Sequence, residues 1–309
     1  MDRGQGRARL LIPAALLLLI GAADQPQLPI REARWLKTPD MVADLTTLPP
    51  ECLAWPADPS QRRSVAVGRA LFRSPLLLGG QAARAGLSCA SCHRNGRTNP
   101  HFRFPGISGE AGTADVTASI MSEHRGDGIF NPKPIPDLGG DPAKLKVKGT
   151  PKLRDFVHGL ITQEFDGPEP SPATLSSVVA YVEALSPATC KSQRARPATF
   201  VSRLAEVDSA VDLAAGAYAR GDSATGRALL SAARSTLGSI DEHFQVAGLE
   251  TARGALRAAD GELFRLQEAG RAGAWAEWQH DWPKRKRTLR SAEQRSLFNP
   301  AVLRTRLAS

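Results

Sequence analysis

The run Cys89-Ala90-Ser91-Cys92-His93 constrains this chain more than any other feature. Two thiols three positions apart, followed at once by an imidazole, have the spacing at which both sulfurs add to the vinyl groups of one haem while the next residue ligates its iron. A helical turn presents both sulfurs to one porphyrin edge. A chain of this kind folds around a flat, largely apolar macrocycle. The same residues also suit a thioredoxin-like redox pair, half of a zinc site or a local disulfide. Zinc needs a second ligand pair, whereas the only other cysteines, Cys52 and Cys190, stand alone and far away. The motif therefore predicts one covalently bound haem c, with Cys89 and Cys92 as anchors and His93 as the proximal iron ligand.

The start of the chain points to a compartment where such attachment occurs. Arg3, Arg7 and Arg9 form a basic n-region, Leu10 to Ile20 an apolar core, and Gly21-Ala22-Ala23 a small-residue cleavage site. The apolar stretch contains Pro13 and falls short of the ~20 residues a spanning helix needs. This predicts a cleaved secretory signal and a periplasmic location. An oxidising compartment also favours a bridge between Cys52 and Cys190, with 137 residues between them. Closing so long a loop stabilises by about 4–5 kcal/mol on the loop-entropy argument; two isolated buried thiols are the alternative.

Charge is unevenly distributed. Residues 24–190 carry 18 basic against 17 acidic groups, residues 191–283 carry 11 against 12, and residues 284–309 carry eight against one. Lys284-Arg285-Lys286-Arg287, with Arg290 and Arg295, suits an acidic redox partner or an anionic membrane surface, the alternative being a solvated basic tail. Nucleic acid is not an expected partner in the periplasm.

Around the motif, Gln61 to Phe72 has the spacing of an amphipathic helix that ends at Ser74-Pro75, and residues 94–149 are rich enough in Gly and Pro to predict loops. Helix returns at Pro172 to Leu185, with Ser171 as cap and Pro172 in the first turn.

Gly68-Arg69-Ala70-Leu71-Phe72, Ser74-Pro75-Leu76 and Gly86-Leu87-Ser88 before the motif, with Thr150-Pro151-Lys152-Leu153-Arg154-Asp155 and Phe165-Asp166-Gly167 after it, resemble a haem domain of the bacterial di-haem cytochrome c peroxidase and MauG-like family. The resemblance covers about residues 60–190 and implies a haem c domain with an electron-transfer role. That family carries two haem motifs and this chain has one. Family members often place a ligand near the later Asp-Gly, where this chain has Phe165, which offers none.

The second axial position separates electron transfer from small-ligand chemistry, because a filled site favours the former and an open one admits peroxide. Met121, His124, His101 and His158 follow the motif as distal candidates, with an open site as the remaining alternative. A Met ligand raises the potential relative to His.

Beyond the polar linker 191–197 the pattern changes. Leu204, Val207, Val211, Ala214 and Tyr218, then Leu230, Ala233, Leu237, Ile240 and Phe244, then Leu249, Ala252, Leu256, Ala259, Leu263 and Leu266 recur three or four apart. They predict three helices of an up-down bundle, with turns at Arg220-Gly221-Asp222-Ser223 and Val246 to Gly248. His243 and His280 read as surface or capping residues. Trp275, Trp278 and Trp282 share one helical face, where packing competes with a role in electron transfer or partner recognition.

The expected fold is mainly α. A signal peptide (1–23) precedes a cytochrome c-like haem domain with long loops (24–190), a helical bundle (191–283) and a basic C-terminal tail (284–309). The expected function is that of a periplasmic mono-haem c-type cytochrome in electron transfer. A peroxidase-like or MauG-like oxidoreductase with an open iron site is one alternative, and a haem-based redox sensor or docking module is another.

Overall fold

A computed structural model describes residues 28–117, 120–122, 129–191, 193–269 and 272–308. The expected signal segment and His124 lie outside these residues. The fold is mainly helical, with 61% of the described residues in helices and a bundle in the C-terminal half.

The first half carries α1 (Met41–Thr46), α2 (Pro59–Phe72), α3 (Pro75–Leu78), α4 (Gly80–Ala85), α5 (Cys89–Cys92), α6 (Leu153–Gly159), α7 (Pro172–Ala184) and α8 (Pro187–Cys190). Its two long helices form where local signals agree. Asp58 caps α2 by accepting from the Gln61 N–H at 2.8 Å, and Ser171 caps α7 through the Thr174 N–H at 3.2 Å. Each has Pro in its first turn, where no N–H is missed. Val65, Val67, Leu71 and Phe72 of α2 are buried, as are Leu175, Val178, Tyr181 and Val182 of α7, and the helices pack against one another. Their close approach requires Gly68, because a Cβ there would fall 1.8 Å from the Ser177 carbonyl oxygen. Ser74-Pro75 does end α2, yet Pro75 also starts α3.

The strands of the first half are all short, and the described part of the stretch expected to be loop holds such pairings and one 3-10 turn, Pro142–Lys144. Antiparallel pairs join β1 (Thr47–Leu48) to β6 (Arg196–Pro197), β2 (His93–Arg94) to β3 (Arg97–Thr98), and β4 (Thr113–Ala114) to β5 (Lys133–Pro134). One bridge crosses this half: Cys52 and Cys190, 138 positions apart, form a disulfide with Cα atoms 4.6 Å apart.

The second half carries α9 (Phe200–Ala219), α10 (Ser223–His243), α11 (Glu250–Ala269), α12 (Ala272–Ala292) and α13 (Pro300–Ala308). The first three match the expected periodic runs. Gly221, at φ 79°, ends the first turn, and Asp222 caps α10 by accepting from the Thr225 N–H at 3.0 Å. Two expectations need correction. A fourth long helix, α12, packs on α11, so the bundle has four members and not three. The expected boundary at 283/284 has no counterpart in the backbone, because α12 runs through it to Ala292. Leu289, Ala292, Leu297 and Leu303 are buried, so the basic segment is largely part of the fold.

The bundle docks on the first half through α9 and α10. Arg31 pairs with Glu242, and the Thr174 and Thr225 hydroxyls meet at 3.2 Å in a buried contact. The buried apolar side chains form one continuous cluster from Leu28 to Leu303. Among the described residues no helix is long and apolar enough to cross a membrane.

Candidate haem-attachment site

The sequence builds the motif as a one-turn helix followed by a hairpin. In α5 the Ser88 N–H donates to Ser91 Oγ at 3.0 Å and the Ser88 side chain accepts in return, a reciprocal cap that starts the turn at Cys89. Cys89 and Cys92 therefore share one side of the turn, half-buried and unbonded to each other. Burial pushes both thiols up to about 12, so each sulfur keeps its proton. Ala90 and Ser91, between the thiols, line a cleft of about 130 Å³ shared with Ser235 and Ser239 of α10.

The next four residues fix the imidazole. Asn95 and Gly96 both take positive φ, 51° and 74°, the two-residue turn that an Asn-Gly pair forms between hairpin strands. It pairs His93 with Thr98 and Arg94 with Arg97. Gly96 allows no side chain, since a Cβ would lie 2.4 Å from Leu185 Cδ1. Arg73 holds the turn from behind by donating to Asn95 Oδ1 at 2.8 Å and to Glu51 at 2.9 Å. Asn99 satisfies the end of α5, its backbone N–H on the Cys92 carbonyl and its side-chain amide on that of Ser91, both at 2.9 Å.

His93 Nδ1 lies 3.0 Å from the Pro136 carbonyl oxygen. A carbonyl only accepts, so Nδ1 carries the proton and Nε2 keeps its lone pair. Burial holds the ring well below the usual histidine range, at about 4, so the neutral imidazole is the form present near pH 7. The Phe72 ring stands 6.4 Å from it. Two protonated thiols on one side of a turn and an oriented imidazole with a free Nε2 are the donor set that a haem c requires. Among the described residues no group of three or more His, Cys, Asp or Glu is placed to hold a metal ion, so the second ligand pair of a zinc site is lacking.

A polar chain runs from this imidazole to the disulfide. Asp137, next to Pro136, accepts from Arg97 Nε at 2.7 Å and Nη2 at 2.6 Å. Arg97 Nη1 in turn points at both bridged sulfurs, 3.0 Å from Cys52 Sγ and 2.8 Å from Cys190 Sγ.

The distal candidates are placed differently from one another. Met121 is buried at 2% exposure. Its neighbour Ser122 donates to the Gln163 carbonyl and to Asp166 Oδ1, so the Met121 segment lies against the turn that holds Asp166-Gly167. His101 Nδ1 sits 2.6 Å from Asp44 Oδ2. His158 Nε2 is 2.9 Å from both Glu169 oxygens. His243 is not a surface residue: its ring is buried, bonded through Nδ1 to the Ser239 carbonyl at 2.9 Å and stacked on Phe298 at 4.2 Å. His280 is exposed beside Asp281.

Sequence reasoning missed Pro136, Arg97, Asp137 and Asn99. Pro136 and Asp137 reach the motif on a loop returning over 43 residues to His93, its local trace being the proline series Pro132, Pro134 and Pro136 that stiffens the return, whereas Asn99 caps α5 from just past the hairpin without a periodic signal. Neither a protein-family model, nor a curated protein, nor a solved structure matches this chain.

Proposed function

We propose that the chain is a periplasmic mono-haem c-type cytochrome that carries electrons. The observation that carries this reading is the His93 Nδ1–H bond to the Pro136 carbonyl beside the two thiols of α5. A covalently held haem supplies a reversible one-electron Fe(III)/Fe(II) couple. Cys89 and Cys92 would form the thioethers and His93 Nε2 would ligate the iron. The Pro136 carbonyl fixes the tautomer and the ring direction, and raises the basicity of Nε2. Met121 is the preferred distal ligand, because it is buried while carboxylates engage His101 and His158. The disulfide supports an extracytoplasmic location, since such bridges persist in oxidising compartments.

The test is direct. Purified from a periplasmic extract, the protein should retain one haem per chain after denaturation, and the paired substitution Cys89→Ala with Cys92→Ala should abolish it. The reduced spectrum should be insensitive to carbon monoxide if Met121 fills the distal position, and Met121→Ala should make it sensitive. Peroxide turnover should be negligible, since a distal Met121 would leave no open iron position for peroxide. Two covalent haems per chain, or zinc in place of iron, would sink the reading. Efficient peroxide turnover with a carbon monoxide response in the wild type would favour the peroxidase-like or MauG-like alternative, and a stable partner captured by the bundle alone would favour the sensor or docking module.

A further inference from the structure

The bundle contains a cavity of about 370 Å³ between α9 and α12, bordered by Asp208, Asp212, Trp275, Trp278, Trp282 and Lys286. Small-molecule sites begin at roughly 300 Å³, so the space is large enough for a compact ligand. The two helices run in opposite directions: Asp208 meets Trp282, and ten residues further along α9 Tyr218 meets Trp275, seven residues back along α12. Side chains one helical turn apart therefore form successive rungs across the cavity.

The first rung is complete. Asp208 Oδ1 accepts from Trp282 Nε1 at 2.5 Å, Asp208 Oδ2 accepts from Lys286 Nζ at 2.9 Å, and that ammonium lies 5.7 Å from the Trp282 ring centroid. Carboxylate, indole face and ammonium form one cluster.

The second rung repeats two of these three parts. Asp212 stands one turn beyond Asp208 on α9, and Trp278 one turn before Trp282 on α12, its ring stacked on that of Trp282 at 4.7 Å. Among the described residues Asp212 takes part in no hydrogen bond or ion pair; Lys286 acts on it only through its charge, its ammonium being bonded to Asp208. Burial and the neighbouring charge of Asp208 push the Asp212 carboxyl up, outweighing the opposing charge of Lys286. Trp275, partly exposed, adds a further aromatic wall.

We propose that this second rung is a binding site for a small organic cation, an alkylated ammonium held between the Asp212 carboxylate and the indoles of Trp278 and Trp275. An alkylated ammonium suits the site better than an inorganic cation, because the aromatic walls reward a diffuse charge with apolar surface and offer few oxygens for a hard ion.

The experiment titrates the full-length protein with choline at constant ionic strength, reading intrinsic tryptophan fluorescence, and repeats the titration with 3,3-dimethylbutan-1-ol, the uncharged isostere of choline. Choline should give a saturable change, and the isostere should bind about ten-fold more weakly or not at all, the effect of losing a cation–π contact and an ion pair. Asp212→Asn should weaken choline by about ten-fold, with an unchanged melting temperature because Asp212 is exposed; Asp212→Ser should do the same. The proposal is overturned by a linear response to choline, by equal affinity for the isostere, or by undiminished binding in both Asp212 variants.

Discussion

The two halves of the molecule place a histidine, half-buried in the first and buried in the second, in nearly the same electrostatic state by opposite means. His93 and His243 are each held at about 4 by burial, and each bonds through Nδ1 to a backbone carbonyl. His243 bonds to Ser239, four residues back in its own helix, and its ring stacks on Phe298 at 4.2 Å. His93 bonds to a carbonyl 43 residues away, beside two thiols. A local bond follows from the helix and needs no function. A long-range bond through Nδ1 beside Cys89 and Cys92 is the arrangement that the proposed haem ligation requires. The same contrast runs through the architecture, where periodic apolar faces build the bundle and individual polar ties hold the irregular first half.

The largest test of that contrast is the removal of the long-range covalent tie. Cys52→Ser with Cys190→Ser should lower stability by about 4–5 kcal/mol, since a loop of 138 positions regains its freedom on unfolding. Chemical denaturation followed by far-ultraviolet dichroism reads the loss. If the halves differ as argued, the first half should lose its tertiary structure, and with it the environment of the proposed haem, at denaturant concentrations where the bundle helices persist. A single coincident transition would mean that the docking of α9 and α10 on α2 binds the halves into one cooperative unit.

Next in size is the buried ion cluster behind His93. Burial pushes the Glu51 carboxyl up, but Arg73 and Arg69, with hydrogen bonds from Arg69 and Tyr181, outweigh it and hold it at about 2. Glu51→Gln takes from the half-buried Arg69 and Arg73 the carboxylate they share and should cost about 3–5 kcal/mol. The folded pKa lies below the unfolded value, so this stabilisation is present above about pH 4.5 and is lost as pH falls towards 2. In the variant the acid limb of the stability profile should flatten across that window.

His243 supplies a smaller effect at higher pH. Its folded pKa, about 4, also lies below the unfolded value of 6.5, and here protonation favours the unfolded chain. Stability should therefore fall as pH drops from 6.5 to 4, by up to about 3 kcal/mol, and level off below. His243→Phe should remove this part of the slope. If the slope survives, the burial of His243 against Phe298 is not its source.

What the sequence disclosed follows the same divide. The bundle was legible because apolar residues such as Leu237, Ile240 and Leu263 repeat at the period of the element they belong to. The fourth helix was obscured because its buried face is made of Trp278, Trp282 and Leu289 among basic residues, with Pro283 inside. The charge run consequently read as a tail. In the first half the thiols and His93 were legible from spacing alone, and the capping of α2 and α7 from Asp58-Pro59 and Ser171-Pro172. Pro136, Arg97 and Glu51 were not, because contacts across 40 to 130 residues leave no periodic trace.

The smallest effect concerns the basic face of α12. The fold commits part of the charge that composition assigned to docking: Arg285 pairs with Glu262 and Lys286 with Asp208. Arg287 and Arg290 remain exposed, and the described residues form no ion pair with them. If the bundle presents an electrostatic docking surface, these two arginines carry it, and the screening length of about 8 Å at physiological ionic strength makes the attraction salt-dependent. Arg287→Glu with Arg290→Glu should weaken binding to anionic phosphatidylglycerol vesicles several-fold at low salt, or slow association with an acidic redox partner to the same extent. The two proteins should converge as salt rises. Both side chains point to solvent, so the melting temperature and the haem spectrum should stay the same. A salt series in which wild type and variant follow the same curve would show that the face is merely solvated.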